Sequence, residues 1–187
     1  MTFLTTTEIK AMGFMSVGDN VQISSRASFY NCAQISIGNH VRIDDFCVLS
    51  AGNGGILIGN YIHIGIYSSL IGAGRITLSD FSNVSSKVAI YSSNDDYSGA
   101  YMTNPTVPQK YTGVTHGDVW IGKHAIIGCG SIVLPSVTIE DGVAIGALSL
   151  VKKNCTEFGI YMGNPAVHIK NRKRDLLLLE QNFLTNQ

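Results

Sequence analysis

Three titratable side chains stand out by type and spacing: the adjacent pair Asp95 and Asp96, and His116 further along the chain. A carboxylate pair can accept a proton near neutrality, because burial and a like-charged neighbour both push a carboxyl pKa upward. An imidazole has that capacity unaided. Either group can take the proton of a weak nucleophile as it attacks, a contribution of typically 10²–10⁴-fold. Asn94 and Tyr97 flank the pair and are candidate substrate contacts. The competing use of such aspartates is structural, an Asx-type cap on a loop. A second set lies downstream. Cys129 and Ala147 are 18 residues apart in matching contexts, Ile127-Gly-Cys-Gly-Ser and Ile145-Gly-Ala-Leu-Ser. Basic residues crowd the last part: Lys152, Lys153, Lys170, Arg172, Lys173 and Arg174 are six of the 13 in the chain, a skew that suits phosphate groups.

These residues are carried by a six-residue metre. An aliphatic residue recurs as Ile121, Ile127, Val133, Ile139, Ile145 and Val151. Earlier the beat falls on Val17, Ile23 and Phe29; Ile37, Ile43 and Leu49; Ile58, Ile64 and Leu70; and Leu78, Val84 and Ile90. A helix cannot use a period of six, and a simple pleated strand alternates every two. Short flat strands joined by tight corners can use it, in a solenoid whose coils bury their aliphatics on one another. Successive early triplets start 20 or 21 residues apart, and the late ones 18. Three sixes make a triangular turn, so the early coils carry extra residues at one corner, such as Asn31-Cys32-Ala33 and Gly52-Asn53-Gly54-Gly55. On this frame Cys129 and Ala147 stack at one corner as a ladder of small side chains.

Residues 92–118 break the metre. A long insertion in a compact repeat is usually functional or disordered; here Tyr97, Tyr101, Met102 and Tyr111 offer apolar surface to bury, which favours order. Because Ile90 and Ile121 both belong to the stack, the stems Ser93–Asp96 and Thr115–Asp118 should lie close together. Residues 5–12 read as a short helix with Thr5 and Glu8 in capping-box spacing, and the LLLLEQNFL segment reads as an amphipathic helix. Both are expected to cap the open ends of the stack.

The 187 residues suit one domain. Twenty glycines and only 14% charged residues fit a solenoid rich in turns. Zero net charge argues against nucleic acid or an anionic membrane as the main partner. No apolar run reaches membrane length, and the N-terminus lacks a signal-peptide core. Cys32, Cys47, Cys129 and Cys155 show no paired spacing, so reduced thiols and a cytoplasmic setting are expected. His40 and His124 follow turn residues and read as solvated, His63 as structural, and His168 lies in the tail. No histidine set has the spacing of a metal centre.

The hexads resemble those of the hexapeptide-repeat acyltransferases, over roughly residues 16–170, and within that family the sugar O-acetyltransferase branch. The resemblance implies an all-β solenoid, a left-handed parallel β-helix with a long inserted loop and a C-terminal α-helix. Its expected parts are an N-terminal cap (1–16), early coils (17–91), the loop (92–118), late coils (119–156), and a tail with the helix (157–187). It also implies a homotrimer, acetyl-CoA as co-substrate, and transfer to a sugar hydroxyl in surface polysaccharide or lipopolysaccharide assembly. Family members commonly place a catalytic histidine at the head of the loop, as Ser-His-Asp-Tyr. This chain reads Ser93-Asn94-Asp95-Asp96-Tyr97, which puts Asp95 at that place. Three routes stay open: Asp95 or Asp96 as base, His116 as base, or an amine acceptor that needs none. The last corresponds to an N-acetyltransferase of a nucleotide-linked amino sugar; a non-catalytic trimeric scaffold is the alternative outside enzymology. The resemblance further implies that the pantetheine arm lies along Cys129 and Ala147, with Lys152, Lys153, Lys170 and Arg172 near the phosphates. Gly163-Asn164-Pro165-Ala166 matches the signature that places Pro165 near the adenine. The tryptophan that many members carry corresponds in register to Ile126, not to Trp120.

Overall fold

The computed structural model describes residues 2–186. Short strands wind into a left-handed parallel β-helix of about seven turns. Three parallel sheets form its faces. The first face holds Ser16–Val17, Ile35–Ile37, Ile56–Ile58, Ile76–Leu78, Val119–Ile121 and Thr138–Ile139. The second runs from Gln22–Ile23 through Arg42–Ile43, His63–Ile64, Asn83–Val84, Ile126–Ile127 and Ala144–Ile145 to the hairpin Gly159–Gly163 and Ala166–Asn171. The third holds Ser28–Tyr30, Val48–Ala51, Ser69–Gly72, Ala89–Tyr91, Ile132–Val133 and Leu150–Val151.

The metre is visible as register. Ile43, Ile64, Val84, Ile127 and Ile145 are parallel partners in consecutive coils, and all are buried. Burying each such side chain contributes about 2 kcal/mol relative to exposure. The corners require left-handed backbone. His40, Tyr61, Phe81 and His124 have φ of 56°, 56°, 59° and 58° at the first-to-second corner. Each costs about 1 kcal/mol, offset by hydrogen bonds between coils such as His40 N to Asp19 O at 2.8 Å. The extra residues of the early coils do lie at one corner, the third-to-first, where Cys32–Gln34 form a 3₁₀ turn. Below the inserted loop that corner tightens to Pro135-Ser136, with Ser136 at φ 65°.

Helix α1 (Thr6–Ala11) carries the capping box expected of Thr5 and Glu8, and its Ile9 joins the core above the first coil. Helix α2 (Leu176–Thr185) differs from expectation. It does not close the C-terminal end, which is covered instead by the 159–171 hairpin with Phe158 and Tyr161 buried beneath it. It lies along the first-to-second corner, where the rings of His40, Tyr61, Phe81 and His124 stack at 4.5–5.0 Å. Phe183 packs edge-on against Tyr61 and Phe81. Glu180 meets His124 at 2.8 Å and Lys123 at 2.5 Å.

Burial alone would raise the Glu180 carboxyl, but the hydrogen bonds and charges of His124 and Lys123 outweigh it and hold the pKa below its usual range. A carboxylate depressed on folding contributes stability above its unfolded pKa of about 4.3, and that stability is lost as pH falls through the folded value. Hydrogen exchange across 176–185 should therefore show α2 protected at neutral pH and released below about pH 4, before the coils open. Equal protection of α2 and coils down to global unfolding would show that the carboxylate does not hold the helix.

Candidate functional site

The inserted loop leaves and re-enters at the third-to-first corner, and its stems meet as an antiparallel pair, Ser93 opposite His116 and Asn94 opposite Thr115. The Ser93 hydroxyl accepts a hydrogen bond from Ala73 N at 2.7 Å and meets Nδ1 of His116 at 2.8 Å. Asp118 accepts from Arg75 N at 2.8 Å, and Gly117 N donates to Ser92 O at 3.0 Å. The stem is thus anchored on the coil above it. The Ser93–His116 contact is not visible in the sequence unless the two stems are paired residue by residue.

The aspartate pair divides by role. Asp96 caps the loop, accepting from Ser98 Oγ at 2.8 Å and from the backbone N–H groups of Gly99, Tyr101 and Ser98 at 3.0–3.3 Å. The Ser98 hydroxyl and these amides lower its pKa, the opposite of the shift expected for a base. Asp95 has no hydrogen-bond partner among the described residues, and its carboxylate stands between two open clefts. One, of about 630 Å³, is bounded by Tyr91, Tyr97, Ile132, Leu134 and Leu150. The other, of about 740 Å³, extends toward Ile71 and the loop residues Pro105, Val107 and Val114. Asn94 lines both. The loop aromatics do not bury themselves on the chain: Tyr97 is 86% exposed, and Tyr101, Met102 and Tyr111 are over half exposed.

Cys129 and Ala147 stack at the second-to-third corner, joined by Leu148 N to Cys129 O at 2.9 Å. Gly128 beneath them has no room for a side chain, since a Cβ there would come within 2.5 Å of Ala147 N. Both ladder residues are exposed. The turn of the terminal hairpin, which includes Pro165, abuts the same corner through Gly163 N to Ser149 Oγ at 3.1 Å and Gly146 N to Tyr161 O at 2.7 Å.

The basic residues do not gather with the ladder. Lys152 and Lys153 follow the last strand of the third face, at its far end. Lys170 pairs with Ile160 in the hairpin. Arg172 sits at the first-to-second corner, where its Nη1 donates to His124 O at 2.9 Å and Gly142 O at 3.0 Å, and burial lowers its pKa. Its guanidinium clamps two coils rather than pointing to solvent. Arg174 pairs with Glu157 and covers the Phe158 ring at 4.1 Å. Within one chain the six cations are therefore spread over several edges.

Ladder and loop also stand apart. They occupy opposite ends of the third face, a separation on the order of 15 Å for strands rising about 3.3 Å per residue. The other histidines are engaged. His40 and His124 belong to the stacked ring column, contrary to the solvated reading. His63 binds the buried carboxylate of Asp44 at 2.8 Å, alongside Arg42. His168 meets Asn171 and the edge of Tyr161. Among the described residues no group of His, Cys, Asp and Glu could hold a metal ion, and no helix is long and apolar enough to cross a membrane. The cysteines are free thiols. Burial pushes Cys47 and Cys155 up to about 11.

Comparison with known proteins bears on this geometry. Residues 118–153 match the bacterial transferase hexapeptide (six repeats) family. The chain is 60% identical to a dTDP-4-amino-4,6-dideoxy-D-glucose acyltransferase of Escherichia coli, over 98% of this chain and 95% of that protein. It is 27% identical to the putative lipopolysaccharide biosynthesis O-acetyl transferase WbbJ of E. coli, over 77% and 72% of the two chains. The crystal structure of AntD, an N-acyltransferase from Bacillus cereus in complex with dTDP and 3-hydroxybutyryl-CoA, superposes with a TM-score of 0.95 at 47% identity, covering 98% of this chain and 97% of that one. With hexads in register over the coils and an acyltransferase matched almost end to end, the chain belongs to the hexapeptide-repeat transferases and is an acyltransferase.

Proposed function

We propose that the chain is an N-acyltransferase that moves an acyl group from an acyl-coenzyme A to the amino group of a nucleotide-linked amino sugar. The observation that carries this reading is the near end-to-end similarity to an acyltransferase of a dTDP-linked 4-amino sugar. The loop is consistent with it. A sugar hydroxyl needs a positioned base, and the head of the loop has Asp95 where the resemblance leads one to expect an imidazole. A carboxylate is well suited to an amine, which arrives as an ammonium ion and can pair with Asp95. The amine reading therefore takes precedence over the sugar hydroxyl.

In this mechanism the Asp95 carboxylate binds the ammonium group and takes its proton. The freed nitrogen attacks the thioester carbon, and the carbonyl electrons move to oxygen. Collapse of the tetrahedral intermediate breaks the carbon–sulfur bond and forms the amide, and the second proton lost by the nitrogen goes to the departing sulfur, so that coenzyme A leaves as the thiol. The pantetheine arm would run along Cys129 and Ala147, with its adenine end toward Pro165. His116, tied to Ser93, would line the stem without acting as base. Asn94 and Tyr97 would contact the acceptor.

Because ladder and loop lie at opposite ends of one face, the site is best assembled between copies. We place the ladder of one subunit against the loop of the next in a homotrimer, which would also cover the exposed tyrosines of the loop and bring basic residues of different edges together. Free thiols and metabolite substrates fit a cytoplasmic setting, and a product sugar of this kind would enter surface polysaccharide assembly.

The test is direct. Purified protein with acetyl-CoA and dTDP-4-amino-4,6-dideoxyglucose should release thiol and add one acetyl group to nitrogen, as read by mass spectrometry. Transfer to hydroxyl sugars alone would overturn the amine reading.

A further inference from the structure

The solenoid carries a second aromatic column, and nothing among the described residues covers it. At the second-to-third corner the consecutive coils present Arg26, Phe46, Tyr67, Lys87, Gly130 and Leu148. Phe46, Tyr67, Lys87, Gly130 and Leu148 all have left-handed backbone, with φ of 59°, 63°, 61°, 73° and 58°. The hydrogen bonds Tyr67 N to Asp45 O, Lys87 N to Ile66 O and Gly130 N to Ser86 O keep them in register. The rings of Phe46 and Tyr67 stack at 5.0 Å and 12°, with the Arg26 guanidinium 5.7 Å above Phe46.

The first-to-second corner has the same construction, but there α2 lays Phe183 over the rings and Glu180 over the cation and imidazole. Here Phe46 and Tyr67 remain 41% and 54% exposed. The carboxylate next to Phe46 in the chain, Asp45, is already held by Ser24 and by Arg26 at 3.8 Å. Lys87 is exposed and has no ion-pair partner among the described residues. A stacked aromatic pair continued by an unpaired cation suits a planar base followed by a phosphate.

The position of the column selects the ligand. It is the same edge of the prism as Cys129 and Ala147, which directly precede Gly130 and Leu148. With coils about 4.8 Å apart, Tyr67 stands roughly 14 Å from the Ala147 level. The donor would occupy the C-terminal half of this edge, leaving the N-terminal half to the other substrate. We infer that Phe46, Tyr67 and Lys87 form the subsite for the nucleoside diphosphate of the acceptor, so that the two substrates meet end to end along one corner. This rests on the proposed amino-sugar acceptor. It adds which residues of the coils hold the nucleotide.

The test uses dTDP itself as probe. Calorimetry should show binding to the wild-type protein, and at least tenfold weaker binding to Lys87→Glu and to Tyr67→Ala. In turnover both variants should raise the KM for the sugar nucleotide and leave the KM for acetyl-CoA within twofold. Tyr67→Ala removes a ring from a stack, so its melting temperature must be compared; Lys87→Glu alters only an exposed side chain and keeps the test decisive if Tyr67→Ala fails to fold. Affinity for dTDP within twofold of wild type in Lys87→Glu would overturn the subsite. So would a variant that loses coenzyme A affinity instead, since the column would then hold the donor's own nucleotide. No dTDP binding by the wild type would defeat the nucleotide-linked acceptor, a separate failure.

Discussion

Asp95→Asn is expected to lower kcat for acyl transfer by about 10²-fold or more, with affinity for acetyl-CoA little changed. The substitution keeps the shape of the side chain and deletes both its charge and its basicity. Since Asp95 caps nothing among the described residues, lost turnover cannot be assigned to a loosened loop. Asp96→Asn provides the contrast. An amide oxygen can still accept from Ser98 and the loop N–H groups, so activity should stay within about tenfold of wild type. His116→Asn should also stay within that range. A loss confined to His116→Asn would move the base to the imidazole on the opposite stem. Near wild-type turnover in Asp95→Asn/Asp96→Asn would remove the carboxylate from the mechanism. Turnover that then followed the amine's own pKa would show that the acceptor needs no protein base.

Ala147→Phe should abolish measurable donor binding while leaving the melting temperature within a few degrees of wild type. Ala147 faces outward at a corner, and the ring would fill the path of an extended thioester arm without entering the core. Light scattering should report about three times 20.1 kDa for this variant and for the wild type. Mixing then tests where the site lies. Trimers assembled from Ala147→Phe and Asp95→Asn chains should recover activity, because some interfaces pair an intact ladder from one copy with an intact loop from its neighbour. Mixed trimers as inactive as their parents would place ladder and loop of one site on the same chain. A monomer at micromolar concentration would remove the shared site altogether.

The coils were legible because a hexad states its own geometry. Ile127 and Ile145 can only be partners once the period is known, and the stems at Ser93 and His116 had to meet because both flank the stack. Other features escaped because they are read down columns, across coils of 20, 21 and 18 residues with a loop between. His40, Tyr61, Phe81 and His124 are far apart in the chain and unremarkable in their own hexads. Stacked, they make the surface that α2 needs, which is why the helix lies along an edge and not over an end. The basic residues are spread within one chain for a related reason. Proximity in sequence suggested one phosphate cradle, but the hairpin reverses the chain and Arg172 is claimed by two backbone carbonyls. Asp95 and Asp96 could not be separated from sequence, because the loop's local hydrogen bonding decides which of two identical side chains is consumed as a cap.

The insertion is a closed circuit. Its two ends hydrogen-bond to each other and to the coil above, through Ser93, Gly117 and Asp118, so the coils below receive the chain in the same place whatever lies between. A cassette of different length or sequence could be exchanged there without changing the register of the edge that carries Cys129 and Ala147. In this architecture the loop can therefore be replaced while the stacked corner of Cys129 and Ala147 is inherited intact.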